Sequence, residues 1–428
     1  MKMYSDLSQE ELRAIHEELK SEYEKAKAEG LSLDMSRGKP SPLQLDAEKD
    51  FTFTLDGVTD FTTKSGQDCR NYGTLLGIPE ARKLVGDMLG VAADNVIVFG
   101  NSSLNIMYDT VMRAEMFGVL GSTPWCRLER VKFLCPVPGY DRHFAITEQF
   151  GIEMINVPMT DKGPDMDIVE RYVKDKDVKG IWCVPKYSNP QGYTYSDDTV
   201  RRLASLRPAA EDFRIFWDNA YCIHDIYEDR SDSLLEILSE CEKAGNPDMV
   251  YEFCSTSKVT FPGSGIAALA TSRANVESIS KLLSVQTIGH DKINMLRHVE
   301  YFKDVEGLKA HMRRHAEFLR PKFELINEVL TKEIGELGIG TWTNPNGGYF
   351  VSFDSIPGCA KEIIAKCKEA GVTMTEAGAT FPYHKDPLDC NIRIAPSYPS
   401  LEEIDKAIKL FVLCVKLVSS EKFLEKGW

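Results

Sequence analysis

Short, uniformly apolar runs recur through the first 270 residues, separated by segments whose apolar positions fall every three or four residues. The runs are "NVIVFG" (95–100), "VKFLCPVPGY" (131–140), "IEMINVPM" (152–159), "VKGIWCVP" (178–185), "FRIFWDNAY" (213–221), "DMVYEFCSTS" (248–257) and "GIAALATS" (265–272). A strand with one face in water alternates apolar and polar residues, whereas most of these runs are apolar throughout, as in a sheet covered on both faces. Between them lie helical patterns such as "DRHFAITEQFG" and "SDDTVRRLASLR". The pattern predicts an α/β fold with a mostly parallel seven-stranded sheet between helices, spanning about residues 51–305.

The flanks read differently. Near the N-terminus, Ser8 and Glu11 form the sequence of a capping box, Leu12, Ile15, Leu19 and Tyr23 share one helical face, and Gly30 ends the helix. From about Asp291 to Thr331 a long helical pattern runs on, with expected interruptions at Gly307 and Pro321. It is followed by "GGYFVSFD", a helix around "CAKEIIAKCKEAG", the strand-like "CNIRIA" and a closing helix from about Leu401. The expected organisation is an N-terminal arm that joins a small domain (1–50), a large domain (51–305) and a small C-terminal α+β domain (306–428), with no internal repeat.

Composition narrows the functional classes. The 428-residue chain carries a formal charge of −14, so nucleic acid and anionic membrane surfaces, which require clustered basic residues, are not expected partners. No apolar stretch is long enough to span a bilayer, and the first thirty residues lack the apolar core of a secretory signal. Eleven cysteines without a CxxC pair fit free thiols in a reducing cytoplasm, and Cys254 reads as a small buried hydrophobe. His311 and His315 have the i, i+4 spacing of a metal pair, but two arginines lie between them and no glutamate follows the first; a solvated helix face, with no metal, is expected. The charge run "EDRSDSLLEILSECEK" reads as an exposed amphipathic helix.

Candidate chemistry collects where the strands end, which is where open parallel sheets place their ligands. In "FGNSSLN", Asn101, Ser102 and Ser103 open a helix whose first amides could receive an anion, although simple capping explains them as well. "SNPQG" (188–192) reads as a turn, and Asp218 in "DNAYCIHD" is either a cap or a buried carboxylate needing a cationic partner, with Tyr221 a helical turn further on. "CSTSKVTFPGSG" places Lys258 among the hydroxyls of Ser255 and Ser257. An ammonium there must be paired or covalently used. Arg393, in the apolar strand "CNIRIA", suits bidentate carboxylate binding or a structural ion pair. No nucleophile elbow or Walker lysine is present.

In this order the motifs resemble the fold-type I pyridoxal-phosphate enzymes, and within them the class I aminotransferases of the aspartate aminotransferase group. The resemblance covers nearly the whole chain. "NYGTLLGIPEARKLVGDML" is similar to that family's Tyr-x4-Gly-x4-Arg segment, "PGYDRHF" to its ring-stacking segment, and "SNPQG" to its Asn-Pro-x-Gly. "DNAY" matches Asp-x-x-Tyr, "STSK" matches Ser-x-Ser-Lys, and "NGGYF" and "NIRIA" match its C-terminal motifs. "SRGKPSP" and "NSSLNIMYD" resemble the bacterial subgroup Ic.

The resemblance implies a role for each residue. Lys258 would hold pyridoxal 5'-phosphate as a Schiff base and then move the substrate proton, and Asp218 would keep the ring nitrogen protonated. Asn189 and Tyr221 would bond the ring's phenolic oxygen, and Tyr140 would stack on the ring. Ser255, Ser257 and the Asn101–Ser103 amides would hold the phosphate, with Tyr72 arriving from the other subunit of a homodimer. Arg393 would take the α-carboxylate, assisted by the backbone at Gly38, and residues 37–40 and 346–350 would line the small-domain side. The implied activity is amino transfer from an amino acid, aspartate first, to a 2-oxo acid such as 2-oxoglutarate.

Two positions depart from the family. An arginine usually lies eight residues after the lysine to bind phosphate, but Ile266 occupies that position here. The cation for a distal substrate carboxylate is also unplaced, with Arg37, Lys39 and Lys292 as candidates. Other pyridoxal-phosphate chemistry on the same scaffold, β-elimination or decarboxylation, stays open. A ligand-sensing module fits poorly, because only about thirty residues precede "LDMSRGKPSP".

Overall fold

The computed structural model describes residues 2–426. Its first long helix, Gln9–Ala28, starts at the expected capping box: Ser8 Oγ accepts from the Glu11 amide and the Glu11 carboxylate accepts from the Ser8 amide. In chain order the strands are β1 (Leu33–Asp34), β2 (Val96–Val98), β3 (Lys132–Val137), β4 (Glu153–Thr160), β5 (Gly163–Pro164), β6 (Val178–Cys183), β7 (Arg214–Asp218), β8 (Val250–Ser255), β9 (Ala267–Thr271), β10 (Gly340–Trp342), β11 (Val351–Ser355), β12 (Val372–Thr373) and β13 (Asn391–Ile394). All seven apolar runs form strands of one sheet, ordered β2-β9-β8-β7-β6-β3-β4-β5. The eighth strand is the two-residue β5, which closes a hairpin on β4 and is too short to leave an apolar signature.

β4, β3, β6, β7 and β8 run parallel, and β9 is antiparallel to both β8 and β2. The five residues of β7 and the six of β6 are all buried, as uniform apolarity requires of strands covered on both faces. Because β3 continues outward to β4 while β6, β7 and β8 build the other way, the sheet reverses its strand order between β3 and β6. Loops leaving the C-terminal ends of β3, β6, β7 and β8 therefore open on one edge around that reversal. Pairing of Cys183 with Trp217, and of Asp218 with Phe253, sets the relative heights of those ends.

A second sheet, β10-β11-β13, is antiparallel, and β1 pairs with β12. A hydrophobic cluster joins these to the N-terminal helix and to the helices Val305–Ile334 and Leu401–Lys426 through residues such as Leu12, Tyr23, Phe323, Phe353, Ile394 and Phe411.

Four local expectations need correction. The helix Val305–Ile334 passes through Pro321 without ending, its buried face of Met312, Leu319, Phe323 and Ile326 holding it across the missing donor. Gly307 lies in its first turn, where its amide is capped by Asp304 at 2.9 Å, and so belongs to a start rather than a break. The charge run forms helix only over Ile237–Lys243, because Glu236 caps there instead of continuing a longer helix. His311 and His315, expected on a solvated face, are 3% and 2% exposed and both meet Glu48.

Candidate active site

A cavity of about 470 Å³ opens at the strand-order reversal and gathers Arg37, Gly38, Ser103, Tyr140, Asn189, Asp218, Tyr221, Lys258 and Arg393. Lys258 follows the end of β8, and its ammonium lies 4.8 Å from the centre of the Tyr221 ring. Burial lowers the pKa of that ammonium, and the Asp218 carboxylate opposes the shift. The result is an amine nearer to its free-base, nucleophilic form than an exposed lysine would be.

Asp218 ends β7 and is 3% exposed. Its Oδ2 lies 2.9 Å from His143 Nε2, while Oδ1 is buried and has no hydrogen-bond partner. The His143 ring stacks on Trp182 at 4.4 Å, which fixes its plane. Tyr140 packs edge-on against His143 at 5.0 Å. Burial, reinforced by Asp218 and Asp141, holds the Tyr140 hydroxyl well above its usual range; burial does the same to Tyr221. Both phenols therefore stay protonated as donors.

On the opposite wall, Arg393 Nη1 donates to Asp141 Oδ1 at 2.9 Å and to Asn189 Oδ1 at 3.2 Å, while Nε donates to Thr375 Oγ1 at 3.3 Å. The guanidinium lies 5.0 Å from the Phe350 ring centre. Gly38 presses on the same ring, where a Cβ would stand 2.3 Å from Phe350 Cζ, so only glycine leaves room there.

Ser102 opens the helix Ser103–Phe117 without its side chain capping it, leaving the first turn's donors uncommitted. Beside that turn Ser255 Oγ donates to Ser257 Oγ at 3.1 Å, and Ser257 Oγ donates to the Asn101 carbonyl at 3.0 Å. Ile266 is in the core at 2% exposure, its amide and carbonyl both paired with Thr256, so no cation can be supplied from that position. The adjoining Pro262–Gly265 loop turns carbonyls, not amides, toward Asn101 and Asn294.

Of the candidates, Asn101, Ser102, Ser255 and Ser257 lie behind Ser103 rather than in the cavity lining, and Lys39, Lys292 and Tyr72 lie outside it as well. The Lys39 ammonium rests 3.8 Å from the Tyr398 ring centre. Lys292 is buried and donates to the Gly73 carbonyl at 3.2 Å. Tyr72 is 78% exposed. Conversely, the cavity includes Ser36, Asp141, Arg142, Thr375, Glu376 and His384, which sequence reasoning did not single out. The motif "PGYDRHF" held two of these, Asp141 and Arg142, and also His143, the partner of Asp218, all within a helical turn of Tyr140.

These residues fit pyridoxal 5'-phosphate: an orphaned buried carboxylate oxygen for a ring N–H, an amine of lowered pKa, and uncapped donors with two hydroxyls for a phosphate. The family model described as aspartate amino-transferase matches residues 7–426, and the chain belongs to that family of pyridoxal-phosphate-dependent aminotransferases. An aspartate aminotransferase of Corynebacterium glutamicum is 44% identical over 419 residues, covering 98% of this chain and 96% of the relative. The crystal structure of an aspartate transaminase from that species superposes with a TM-score of 0.95 over 98% of each chain. The α-aminoadipate aminotransferase of Thermus thermophilus, solved with N-(5'-phosphopyridoxyl)-L-leucine, shares the fold at a TM-score of 0.74 and 19% identity, covering 93% of this chain and 95% of that one.

Proposed function

We propose that the chain moves the amino group of aspartate to a 2-oxo acid such as 2-oxoglutarate. The observation that carries the choice of a dicarboxylic substrate is a pair of guanidiniums in the cavity besides that of Arg393. Arg393 is committed to Asp141, Asn189 and Thr375, whereas Arg37 and Arg142 line the opening with no ion pair or side-chain hydrogen bond among the described residues. A planar fork is the side chain best suited to a distal carboxylate. Of the candidates read from sequence, Arg37 is favoured over Lys39 and Lys292, which are engaged elsewhere; Arg142 joins it.

Pyridoxal phosphate supplies the electron sink that makes an amino acid's Cα–H acidic. In this reading Lys258 would carry the cofactor and, once displaced by the substrate's amine, its free Nζ would take the proton from Cα and pass it on in the 1,3-shift that amino transfer requires, a role its lowered pKa supports. Asp218 Oδ1 accepts the ring N–H, and His143 orients Asp218. Asn189 and Tyr221 bond the ring's phenolic oxygen, Tyr140 covers the ring face, and Ser102, Ser103, Ser255 and Ser257 hold the phosphate. Arg393, braced on Phe350 and admitted by Gly38, takes the α-carboxylate.

The reading includes a homodimer. Tyr72 at 78%, Ile288 at 60% and Val285 at 89% exposure lie in neighbouring segments, since Gly289 abuts the Gly73 carbonyl and Lys292 bonds it. Exposed apolar side chains in neighbouring segments are what a second copy would cover. The large domain of residues 51–305, between an arm (1–50) and a small domain (306–428), belongs to the same reading. So does a cytoplasmic setting, which the eleven free cysteines support.

A spectral titration of the loaded protein with aspartate, glutamate, alanine and cysteine tests the substrate. Aspartate should convert the cofactor to its aminated form at the lowest concentration. Arg142→Leu and Arg37→Leu should together reduce the preference for aspartate over alanine by about tenfold or more, the value of a charge-assisted pair. Pyruvate release from cysteine without amino transfer would instead establish β-elimination.

A further inference from the structure

Against the backbone of Lys258 and Val259, outside the cavity lining, lies a group of buried polar side chains for which the proposed reaction has no use. Glu48 is 1% exposed, Gln44 0%, His311 3% and His315 2%. The ring nitrogens His311 Nε2 and His315 Nε2 both meet Glu48 Oε1, the first at 2.9 Å. Three potential ligand atoms thus converge within 4.8 Å, the signature of a metal site.

The hydrogen-bond polarity says otherwise. Gln44 Oε1 accepts from the Ser41 amide at 3.0 Å, which fixes the orientation of its amide; Gln44 Nε2 then donates to His315 Nδ1 at 3.2 Å. Arg314 Nη2, which can only donate, sits 2.9 Å from His311 Nδ1. Both imidazoles accept at Nδ1, so both carry their proton on Nε2 and donate it inward. A metal-binding histidine does the reverse, donating from its outer nitrogen to a carboxylate or carbonyl. The cluster is a buried carboxylate held by the Nε2–H of His315, with His311 Nε2 beside it at 2.9 Å sharing its one proton between that carboxylate and a backbone carbonyl. Burial raises the Glu48 pKa, but those donors outweigh it and the group stays ionised.

The same groups reach the lysine's backbone. His311 Nε2 lies 2.7 Å from the carbonyl of Val259, the residue after Lys258. Tyr349 Oη donates to the Lys258 carbonyl at 3.3 Å and accepts from Gln44 Nε2 at 3.5 Å. Gln44 and Glu48 are in turn continuous with Ser36, Arg37 and Gly38, which line the cavity. We infer that Glu48, His311 and His315, with Gln44 and Tyr349, are positioning residues. They fix two successive carbonyls at Lys258 and tie the lysine to the arm that faces the substrate.

The inference rests on Lys258 as the cofactor lysine, and hydrogen exchange of the full chain without cofactor separates the two. In His311→Leu the amides of Lys258 to Thr260 should exchange about tenfold faster, the effect of losing a buried hydrogen bond to a loop. His311→Gln keeps a donor near Nε2 and should restore protection to within about twofold. With pyridoxal phosphate loaded, His311→Leu should shift the pH midpoint of the visible band and lower kcat more than it changes KM, and His311→Gln should not. Should His311→Leu fail to fold, Tyr349→Phe removes only the donor to the Lys258 carbonyl and should raise the same local exchange about threefold. Exchange that is unchanged, or raised evenly over the whole fold, would overturn the inference. So would His311→Gln behaving like His311→Leu, or one equivalent of Zn²⁺ bound by the wild type and lost in Glu48→Gln. Altered local exchange in a chain that never forms a visible band would leave this inference standing and sink the functional reading.

Discussion

The guanidinium assigned to the substrate's α-carboxylate already holds an acid. Arg393 Nη1 and Asp141 Oδ1 are 2.9 Å apart, with side chains 8% and 30% exposed. A substrate carboxylate on the same fork would stand about 4 Å from that of Asp141, and two like charges at that separation repel by roughly 1 kcal/mol in water and roughly 4 at an effective dielectric near 20. The partial exposure of Asp141 places the value toward the lower end, at about 1–2 kcal/mol. Asp141→Asn keeps an oxygen for Nη1 and removes the charge. It should therefore tighten the Kd of an unreactive dicarboxylate such as maleate by about five- to thirtyfold. The assay is a titration of the visible band at pH 7.5 and constant ionic strength. Asp141→Ala, which removes the acceptor as well, should tighten binding less, because Arg393 then loses a partner that orients it. If maleate binds Asp141→Asn no more tightly than wild type, Asp141 serves to aim Arg393 and the charge argument is wrong.

Lys258→Ala should bind pyridoxal phosphate without the pH-dependent visible band and turn over no amino donor; a retained band would remove Lys258 from its assigned role. Gly38→Ala sets a Cβ 2.3 Å from Phe350 Cζ, and displacing that ring from under Arg393 should raise KM for both substrates by about tenfold while the band stays unchanged. Glu252 is buried beside Asn219, and burial, aided by Glu236, pushes its carboxyl up to about 8. Its folded pKa thus exceeds the unfolded one, the native state holds the extra proton, and stability falls as pH rises from about 4.5 to about 8. Glu252→Gln should accordingly raise Tm at pH 8.5 and leave it nearly unchanged at pH 4.5; an equal shift at both would show that the carboxyl does not titrate on folding.

What could be read from the chain alone follows from which residues leave a local signature. The seven strands were legible because a doubly covered strand must be apolar at every position, and "NVIVFG" or "FRIFWD" can satisfy that in few other ways. Lys258, Asp218 and Arg393 were legible for the opposite reason: each is a charge inside or at the end of such a run, where only a partner or a bound group makes it tolerable. Pro321 misled because its cost to a helix is set by tertiary packing, which the sequence around it does not display.

His311 and His315 show where local reading stops. On a helix, i and i+4 define a shared face but not what covers it, and the two intervening arginines made solvent the natural occupant. The actual cover is Glu48, more than 250 residues earlier in the chain. Spacing that suggests a ligand pair is equally satisfied by two donors converging on one anion, and the two differ only in which ring nitrogen carries the proton. That is decided by Gln44 and Arg314, the first fixed by a capping box at Ser41 and the second by its place one turn along the helix. Asp141 and His143 were missed for a related reason. Each is an ordinary residue in a short amphipathic helix, and becomes part of the site only because β3, β7 and β13 bring Tyr140, Asp218 and Arg393 to the same place. Ile266 closes the account in the opposite direction: its departure from the family was plain in the sequence. The core position it fills supplies no cation, so in the proposed reading the helix at Ser103, with Ser255 and Ser257, would have to support the phosphate.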